Sequence, residues 1–171
     1  MSIENEIEAH CNAGHLSLLE PVRLSFLVKR HIFIGGEARS FITWDGSIDE
    51  EYESVSGRTI GVLERFSNGS YVTVGMDPHD KEARSQIARV DPRGEGIFDY
   101  RINDPNPAVR LFGGFATKDV LVLLTWYPRE NCDFAAEVAR CRAQWDSLFP
   151  KTPPIRSDRI EDHVSKHFHI G

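Results

Sequence analysis

One stretch, AVRLFGGFATKDVLVLLTWYPRE at residues 108–130, restricts the fold more than any other part of this sequence. Two apolar runs rich in β-forming residues flank the polar turn ATKD, and this pattern predicts two antiparallel strands with a short connection. The preceding run IFDYRI alternates in the same way and is separated from the stretch by the turn-rich segment NDPNP. Three consecutive antiparallel strands are therefore predicted, over residues 97–102, 108–115 and 120–127.

Two arginines interrupt the apolar pattern of these strands. Pairing across the six-residue connection places Arg101 directly opposite Arg110. Continued into the third strand, this register places Arg110 opposite Thr125, with Tyr127 two positions further along the same face. The other face collects large apolar side chains and is the predicted core: Phe98, Tyr100, Ile102, Val109, Leu111, Phe115, Val120, Val122, Leu124 and Trp126.

Opposed arginines repel one another by a few tenths of a kcal/mol to about 1 kcal/mol, so a negative charge is expected beside them. One candidate is Asp99, or an acidic residue from the N-terminal half, in an ordinary ion-pair cluster. The other candidate is an anionic ligand such as a phosphate or phosphodiester, which suits the forked donors of arginine. In that case Arg101, Arg110 and Thr125 are the ligand-binding residues. The sequence leaves both alternatives open.

The N-terminal part of the chain predicts both helix and strand. Ile3 and Ile7, one helical turn apart among glutamates, predict a short amphipathic helix. Alternation over residues 22–28 and the composition of EARSFITWDG predict two strands, while the acidic run DGSIDEEYES predicts a solvated loop or a helix start. Asn68-Gly69 lies between two β-rich runs and predicts a hairpin turn.

The remaining segments predict two helices and a tail. Asp77-Pro78 can cap a helix that continues to Val90. Within the central strands, Gly113-Gly114 predicts a β-bulge or a closely packed backbone. After Pro128, apolar residues at helical spacing predict a helix over 133–149, and PKTPPIRSD then has the composition of an extended linker.

These elements define an α+β fold with a mainly antiparallel β-sheet, helices packed on one face and a long helix near the C-terminus. A single globular domain is predicted over 1–150. Its residues 1–69 supply N-terminal strands and a short helix, and 70–150 form a helix-sheet-helix part. Residues 151–171 are predicted to be a linker and a C-terminal tail.

Composition restricts the class of protein. A formal net charge of −6 argues against non-specific binding to nucleic acid, although a local basic surface remains compatible with it. The three cysteines form no CxxC pair, and an odd number disfavours a disulfide framework. The N-terminus lacks the basic-then-apolar order of a signal peptide, and no apolar run has the roughly 18 residues of a membrane helix. We therefore expect a cytoplasmic, soluble protein without a membrane partner.

Motifs with known chemistry are few. No nucleophile elbow, Walker loop or dinucleotide fingerprint is present, so no cofactor is predicted. His163, His167 and His169 form an H-x3-H-x-H pattern, and two histidines four residues apart on a helix can bind zinc. The metalloprotease glutamate between them is missing, so we predict a solvated tail and no metal site.

The order of strand, helix, three antiparallel strands with basic residues and a closing helix resembles the RelE/ParE-type toxin fold over residues 70–150. The matching runs are IFDYRI, AVRLFGGF, VLVLLTWYPRE and AAEVARCRAQW. The resemblance implies a bacterial protein whose sheet arginines bind the mRNA backbone on the ribosome. It implies catalytic roles for Arg110 and Arg129, with Tyr127 as the acid or base, and places Arg101 beside them.

Two functional hypotheses follow. The first is a small soluble binding or interaction protein that uses the mixed polar and basic sheet face for an anionic ligand or a protein partner, with homodimer formation left open. The alternative is a diverged RelE/ParE-like toxin with mRNA-cleaving ribonuclease activity, for which RNA is the partner. Residues 81–150 contain ten Lys and Arg and ten Asp and Glu, and this neutral balance favours the first hypothesis.

Overall fold

The computed structural model describes residues 1–21, 27–79 and 84–169. Its helices are α1 (Ile3–Asn12), α2 (Gly36–Thr43), α3 (Glu53–Ser67) and α4 (Phe134–Leu148). Its strands are β1 (Leu16–Leu18), β2 (His31–Gly35), β3 (Val72–Gly75), β4 (Ile87–Arg89), β5 (Ile97–Ile102), β6 (Val109–Thr117), β7 (Val120–Pro128) and β8 (His167–His169). Within these ranges, none of the helices has the length and apolar character needed to cross a membrane.

All the strands belong to one eight-stranded sheet, in the order β1-β2-β7-β6-β5-β4-β3-β8. The pairs β1·β2, β4·β5, β5·β6 and β6·β7 are antiparallel, whereas β2·β7, β3·β4 and β3·β8 are parallel. The α+β class and the mainly antiparallel sheet are therefore confirmed. The three predicted central strands are β5, β6 and β7, and they form consecutive neighbours in the middle of the sheet.

Helices cover both faces of this sheet. On one face, α2 and α3 contribute Phe41 and Leu63 to an apolar cluster with the strands. On the other face, α1 and α4 contribute Ile7 and Trp145 to a second cluster. The structure differs here from the expected one-sided arrangement. The cause is the composition of β6 and the middle of β7, where consecutive residues are buried, so that the side chains on both faces need a cover.

A register shift in the β6-β7 hairpin changes which side chains of β7 face each side of the sheet, compared with the predicted register. Phe112 pairs with Thr125 but Gly113 pairs with Leu123, so β7 bulges by one residue. A Cβ on Gly113 would lie 2.0 Å from the carbonyl oxygen of Val122, so only glycine allows this approach. The prediction of a bulge or a closely packed backbone at Gly113-Gly114 is confirmed: the close approach is at Gly113, and the extra residue of the bulge lies opposite it in β7.

The bulge divides the residues that were predicted to share one core face. Phe98 and Phe115 lie in the cluster that α3 covers, as predicted for a single face. Val122 and Leu124 lie instead in the cluster that α4 covers, on the opposite face. The prediction assumed uninterrupted alternation along β7, and the hairpin register breaks that alternation.

The predicted Asn68-Gly69 hairpin is wrong, because α3 extends to Ser67 and Asn68 is its C-cap. Gly69 has φ +84°, the left-handed conformation that ends many helices, and its N–H donates to the carbonyl of Phe66. A residue with positive φ is therefore required here, as predicted, but it ends a helix. The predicted helix start in the acidic run is confirmed, because a short 3-10 turn at Glu50–Tyr52 leads into α3.

Two further segments differ from their predicted type. The EARSFITWDG segment forms α2, because Ala38, Phe41 and Ile42 at helical spacing fill the core. The helix predicted from Asp77 to Val90 is wrong in its described part, since Ile87–Arg89 is strand β4 and is completely buried in the sheet. Most of the strand predicted over 22–28, and the middle of the helix predicted after Asp77, lie outside the described residues.

Residues 151–169, predicted as a linker and tail, return to the sheet. The N–H of Ile155 donates to the carbonyl of Phe115 at 2.9 Å, and β8 pairs with β3. Buried Arg89 donates to the carbonyl of Ser157 and to the carboxylate of Asp158, and these bonds hold the segment between Ile155 and β8 beside β4. The C-terminal segment is thus part of the packed structure.

Candidate functional site

A cavity of about 570 Å³ lies on the α4 side of the sheet, beside the first turn of that helix. Arginines from three different elements meet there, from β5, from β6 and from the turn after β7. We call it the arginine cavity, and the residues that line it are Pro78, Val90, Asp91, Arg101, Arg110, Arg129, Phe134 and Ala135. Three of the residues singled out from the sequence are therefore brought together.

The strand register places these arginines. Arg101 pairs directly with Arg110 across β5 and β6, as predicted. Arg110 pairs on its other side with Tyr127, not with Thr125, because the bulge displaces the register of β7. Beyond β7, the N–H of Arg129 donates to the carbonyl of Ala108, and its guanidinium carbon lies 5.4 Å from the centre of the Phe134 ring. Arg129 is thus held at the mouth of the cavity by a cation–π contact with α4.

A buried carboxylate lies between the two strand arginines. Asp99 is 1% exposed, and its two carboxylate oxygens each lie 3.6 Å from a guanidinium Nε, one of Arg101 and one of Arg110. The ion-pair cluster considered from the sequence is therefore present. It supplies one negative charge to two buried arginines, and Arg129 adds a third positive charge to the same cavity.

Arg110 is the most constrained of the three arginines. It donates to Asn103 Oδ1 at 2.8 Å and to the carbonyl oxygen of Val109 at 3.0 Å, and its side chain is 8% exposed. Among the described residues, its Nε has no hydrogen-bond partner. Burial lowers the pKa of Arg110 to about 10, with Asp99 opposing this shift and Arg101 adding to it. Arg110 therefore remains cationic at neutral pH in surroundings that disfavour its charge.

The other two predicted site residues lie outside the described lining. Thr125 is completely buried beneath α4, close to Cys141, and not on an accessible surface. Tyr127 is 37% exposed on β7 opposite Arg110. The structure therefore groups Arg101, Arg110 and Arg129, whereas Thr125 belongs to the core and Tyr127 to the neighbouring surface.

Cys132 lies close enough to the arginines to interact electrostatically with them. Burial raises its pKa to about 11, with Glu137 adding to the rise and Arg129 opposing it. The side chain is therefore a neutral thiol at physiological pH. It is not the low-pKa thiolate that cysteine nucleophiles require.

A second cavity of about 440 Å³ shares Arg129 with the first. It lies between the start of α3 and the β5-β6 connection, and its lining is Glu51, Tyr52, Asn106, Pro107, Ala108, Pro128, Arg129 and Glu130. Apart from Arg129, none of these residues was a candidate site residue in the sequence, and nothing in their spacing indicated that they meet. Their proximity depends on the packing of Tyr52 against Trp126, whose rings are 5.3 Å apart.

The histidine pattern is split between separate environments. His163 is completely buried, between the rings of Phe98 and Phe115 at 5.3 and 5.4 Å, and hydrogen bonded through Nδ1 to the Arg159 carbonyl. His167 lies on β8 and His169 ends it, so the three do not share a helix. Burial of His163 differs from the predicted solvated tail. Among the described residues, no group of three or more His, Cys, Asp or Glu could hold a metal ion.

Fold and site together define an α+β protein with a partly enclosed basic cavity on its central sheet. No family model matches the sequence, and no curated protein or solved structure is significantly similar to it.

Proposed function

We propose that this protein binds an anionic ligand in the arginine cavity. One observation carries the proposal: the guanidinium groups of Arg101, Arg110 and Arg129 converge on a single cavity. Arg101 and Arg110 are both buried and lie beside the same carboxylate of Asp99, and burial disfavours the positive charge of Arg110. A bound anion adds negative charge where three guanidinium groups meet.

The positions of the arginines also suit an anion that enters the cavity from solvent. Arg101 and Arg110 form the floor of the cavity, and Arg129 stands at its exposed mouth beside Phe134. The first turn of α4 adds the positive end of a helix dipole at the same place. A guanidinium fork can donate two parallel hydrogen bonds to a phosphate, sulfate or carboxylate that enters from this side.

Inorganic phosphate tests the proposal directly. Thermal and denaturant unfolding of the parent is measured at constant ionic strength while phosphate replaces chloride. The free energy of unfolding should increase as RT ln(1 + [L]/Kd), with [L] the free phosphate concentration. Substitution Arg129→Gln removes an exposed cavity arginine without touching the core and should weaken this response, whereas Arg58→Gln, on exposed α3 surface at the other face, should retain it.

The outcome against the proposal is a parent protein whose stability is the same in phosphate and in chloride. An equal response in the parent and in Arg129→Gln would move the binding away from this cavity. Because Arg129 and Arg58 carry the same charge, the comparison also separates a specific site from a general change in net charge.

The ribonuclease alternative has one specific observation in its favour. Arg110 and Tyr127 are directly opposed across β6 and β7, which puts a cation and a phenol side by side on one face. If this pair cleaves RNA, induced expression should arrest growth with cleavage of mRNA, and both Arg110→Met and Tyr127→Phe should abolish the arrest. Normal growth with intact mRNA leaves the binding function as the better proposal.

A cytoplasmic location is part of the proposal. Cys11, Cys132 and Cys141 are all free thiols, as expected in a reducing compartment. A protein partner or homodimer at the same face is the competing use of the site. Size-exclusion chromatography with and without phosphate distinguishes them, because a small ligand leaves the elution volume unchanged.

A further inference from the structure

We infer that His10 and His15 form a binding site for a divalent transition-metal ion that accepts two nitrogen ligands at right angles, either Cu²⁺ or Ni²⁺. The site lies where α1 ends, beside the C-terminal end of α4, whereas the arginine cavity adjoins the first turn of α4. The inference is therefore independent of the proposed function. It rests on the turn that brings the two histidines together, on the contact between their rings and on the hydrogen bond that orients one ring.

The end of α1 brings the two histidines together, although they are five residues apart in the sequence. The N–H of Gly14 donates to the carbonyl of Cys11 at 3.1 Å, and the N–H of His15 donates to the carbonyl of His10 at 2.9 Å. Gly14 has φ +82°, and a left-handed glycine with these two bonds is the Schellman motif that closes many helices. In this motif the residue after the glycine frequently packs against the last helical turn. Here both of the side chains that meet are imidazoles.

The two rings face each other through their Nδ1 atoms, which are 3.0 Å apart. Nε2 of His10 lies 2.7 Å from the carbonyl oxygen of Leu148. Because a carbonyl oxygen only accepts, this Nε2 carries a hydrogen, and Nδ1 of a neutral His10 ring keeps its lone pair on the side of His15. A bond from the second ring nitrogen to a backbone carbonyl is the usual way in which proteins orient a metal-binding histidine.

The separation of the two Nδ1 atoms suits an ion with ligands at right angles. With metal–nitrogen bonds of roughly 2.1 Å, two nitrogens 3.0 Å apart subtend about 90° at the ion, whereas a tetrahedral ion needs about 3.4 Å between them. Right angles are the geometry of Cu²⁺ and Ni²⁺, and tetrahedral angles are that of Zn²⁺. Binding turns the rings until both lone pairs meet at the ion, and the exposed ring of His15 can rotate to do so.

The surroundings of the ring pair also favour a cation. The C-terminal end of α1 carries the partial negative charge of the helix dipole, and the two histidines lie at this end. With two protein ligands, water or a small external ligand fills the other coordination positions of the ion. The site is therefore an open chelate on the surface, which exchanges its metal with solvent.

Metal titrations of the whole chain test the inference. The protein is treated with a chelator, the chelator is removed, and Cu²⁺, Ni²⁺ and Zn²⁺ are titrated separately by calorimetry in a buffer that does not bind metals. Cu²⁺ should bind most tightly, and Ni²⁺ should bind roughly tenfold more tightly than Zn²⁺ because of the right-angled geometry. Pulsed electron paramagnetic resonance of the Cu²⁺ complex should detect two coordinated imidazoles.

Substitutions locate the metal. His15→Gln keeps the contact of His10 with Leu148 and should weaken Cu²⁺ binding roughly 100-fold, because the second imidazole no longer binds intramolecularly. His10→Gln should weaken it to a similar extent, and in both variants the resonance spectrum should report one imidazole at most. The double variant His167→Gln with His169→Gln removes the two histidines of β8 and should bind Cu²⁺ as the parent does.

Three results would overturn the inference. Parent-like Cu²⁺ affinity in both His10→Gln and His15→Gln would place the metal elsewhere. Loss of binding in the β8 double variant alone would move the site to that strand. Tighter binding of Zn²⁺ than of Ni²⁺ would contradict the right-angled geometry. Circular dichroism of each variant should match that of the parent, so that a change in affinity reports the site and not the fold.

Discussion

Replacing Arg110 by methionine should leave the protein as stable as the parent or make it more stable. Methionine keeps an unbranched, flexible side chain of comparable length but removes the charge. The expectation is unusual for a buried residue with an ion pair, because removal of one partner commonly costs 3–5 kcal/mol. It follows from the arrangement of Asp99, which keeps Arg101 at 3.6 Å when Arg110 is gone. Asp99 then lies beside the guanidinium of Arg101 without the second guanidinium of Arg110.

The pKa of Arg110 gives the magnitude. Its fall from the ordinary value of an arginine to about 10 means that the folded protein disfavours the charged side chain, even with Asp99 included. At about 1.4 kcal/mol for each pKa unit, the charge costs the fold about 3 kcal/mol at neutral pH. Arg110 is a base whose pKa is lowered by folding, so the cost is fully present below pH 10 and disappears only as the pH rises above the ordinary pKa of arginine. Loss of the hydrogen bonds to Asn103 and Val109 offsets part of this gain, by about 1–3 kcal/mol.

Urea unfolding at pH 7.5 in chloride buffer measures the net result. Arg110→Met should unfold with a free energy between that of the parent and about 2 kcal/mol above it. Asp99→Asn is the matched reverse change. It leaves two buried arginines without that carboxylate and should lower the free energy by about 3 kcal/mol or more. A loss of more than 2 kcal/mol in Arg110→Met would refute the reasoning and make Arg110 a structural residue.

Three other predictions concern the fold. Gly113→Ala should lower the free energy of unfolding by more than about 3 kcal/mol, because its Cβ would lie 2.0 Å from the Val122 carbonyl oxygen. Gly61→Ala, on an exposed turn of α3 with nothing within 4 Å, should instead raise it by about 0.5–1 kcal/mol. Equal effects of the two substitutions in urea unfolding would contradict the close approach at Gly113. Trp145→Ala should cost about 3–5 kcal/mol, because the indole is completely buried and donates to the Thr152 carbonyl at 2.8 Å, whereas a change below 1 kcal/mol would place α4 outside the core. Burial lowers the pKa of His163 below 6.5, so its contribution to stability should be fully present above pH 6.5 and should be lost as the pH falls through the pKa of the folded state. His163→Gln should therefore reduce the loss of stability between pH 7.5 and pH 5 in unfolding experiments. An unchanged pH dependence in this variant would assign the loss to other groups.

The sequence determined the central ribbon and the pairing of its arginines. The β-rich runs and short connections specify β5, β6 and β7, and alternation in β5 and β6 places Arg101 across from Arg110, because strand pairing through a short turn leaves few registers. The glycine pair in β6 likewise indicated a bulge. These features depend on residues close together in the chain, where turn geometry and period-two patterning decide the outcome.

Tertiary structure alone decided how the ribbon is covered and what its arginines face. Asn68-Gly69 suits a hairpin turn as well as the end of a helix, because both need a residue with positive φ. The helix forms because Leu63 and Phe66 pack in the core. The meeting of Arg129 with the strand arginines depends on α4 packing beside β6, and burial of His163 depends on the C-terminal segment returning to the sheet. Such contacts join residues that are distant in sequence, so their energies appear only when the whole core is assembled, and no local pattern records them.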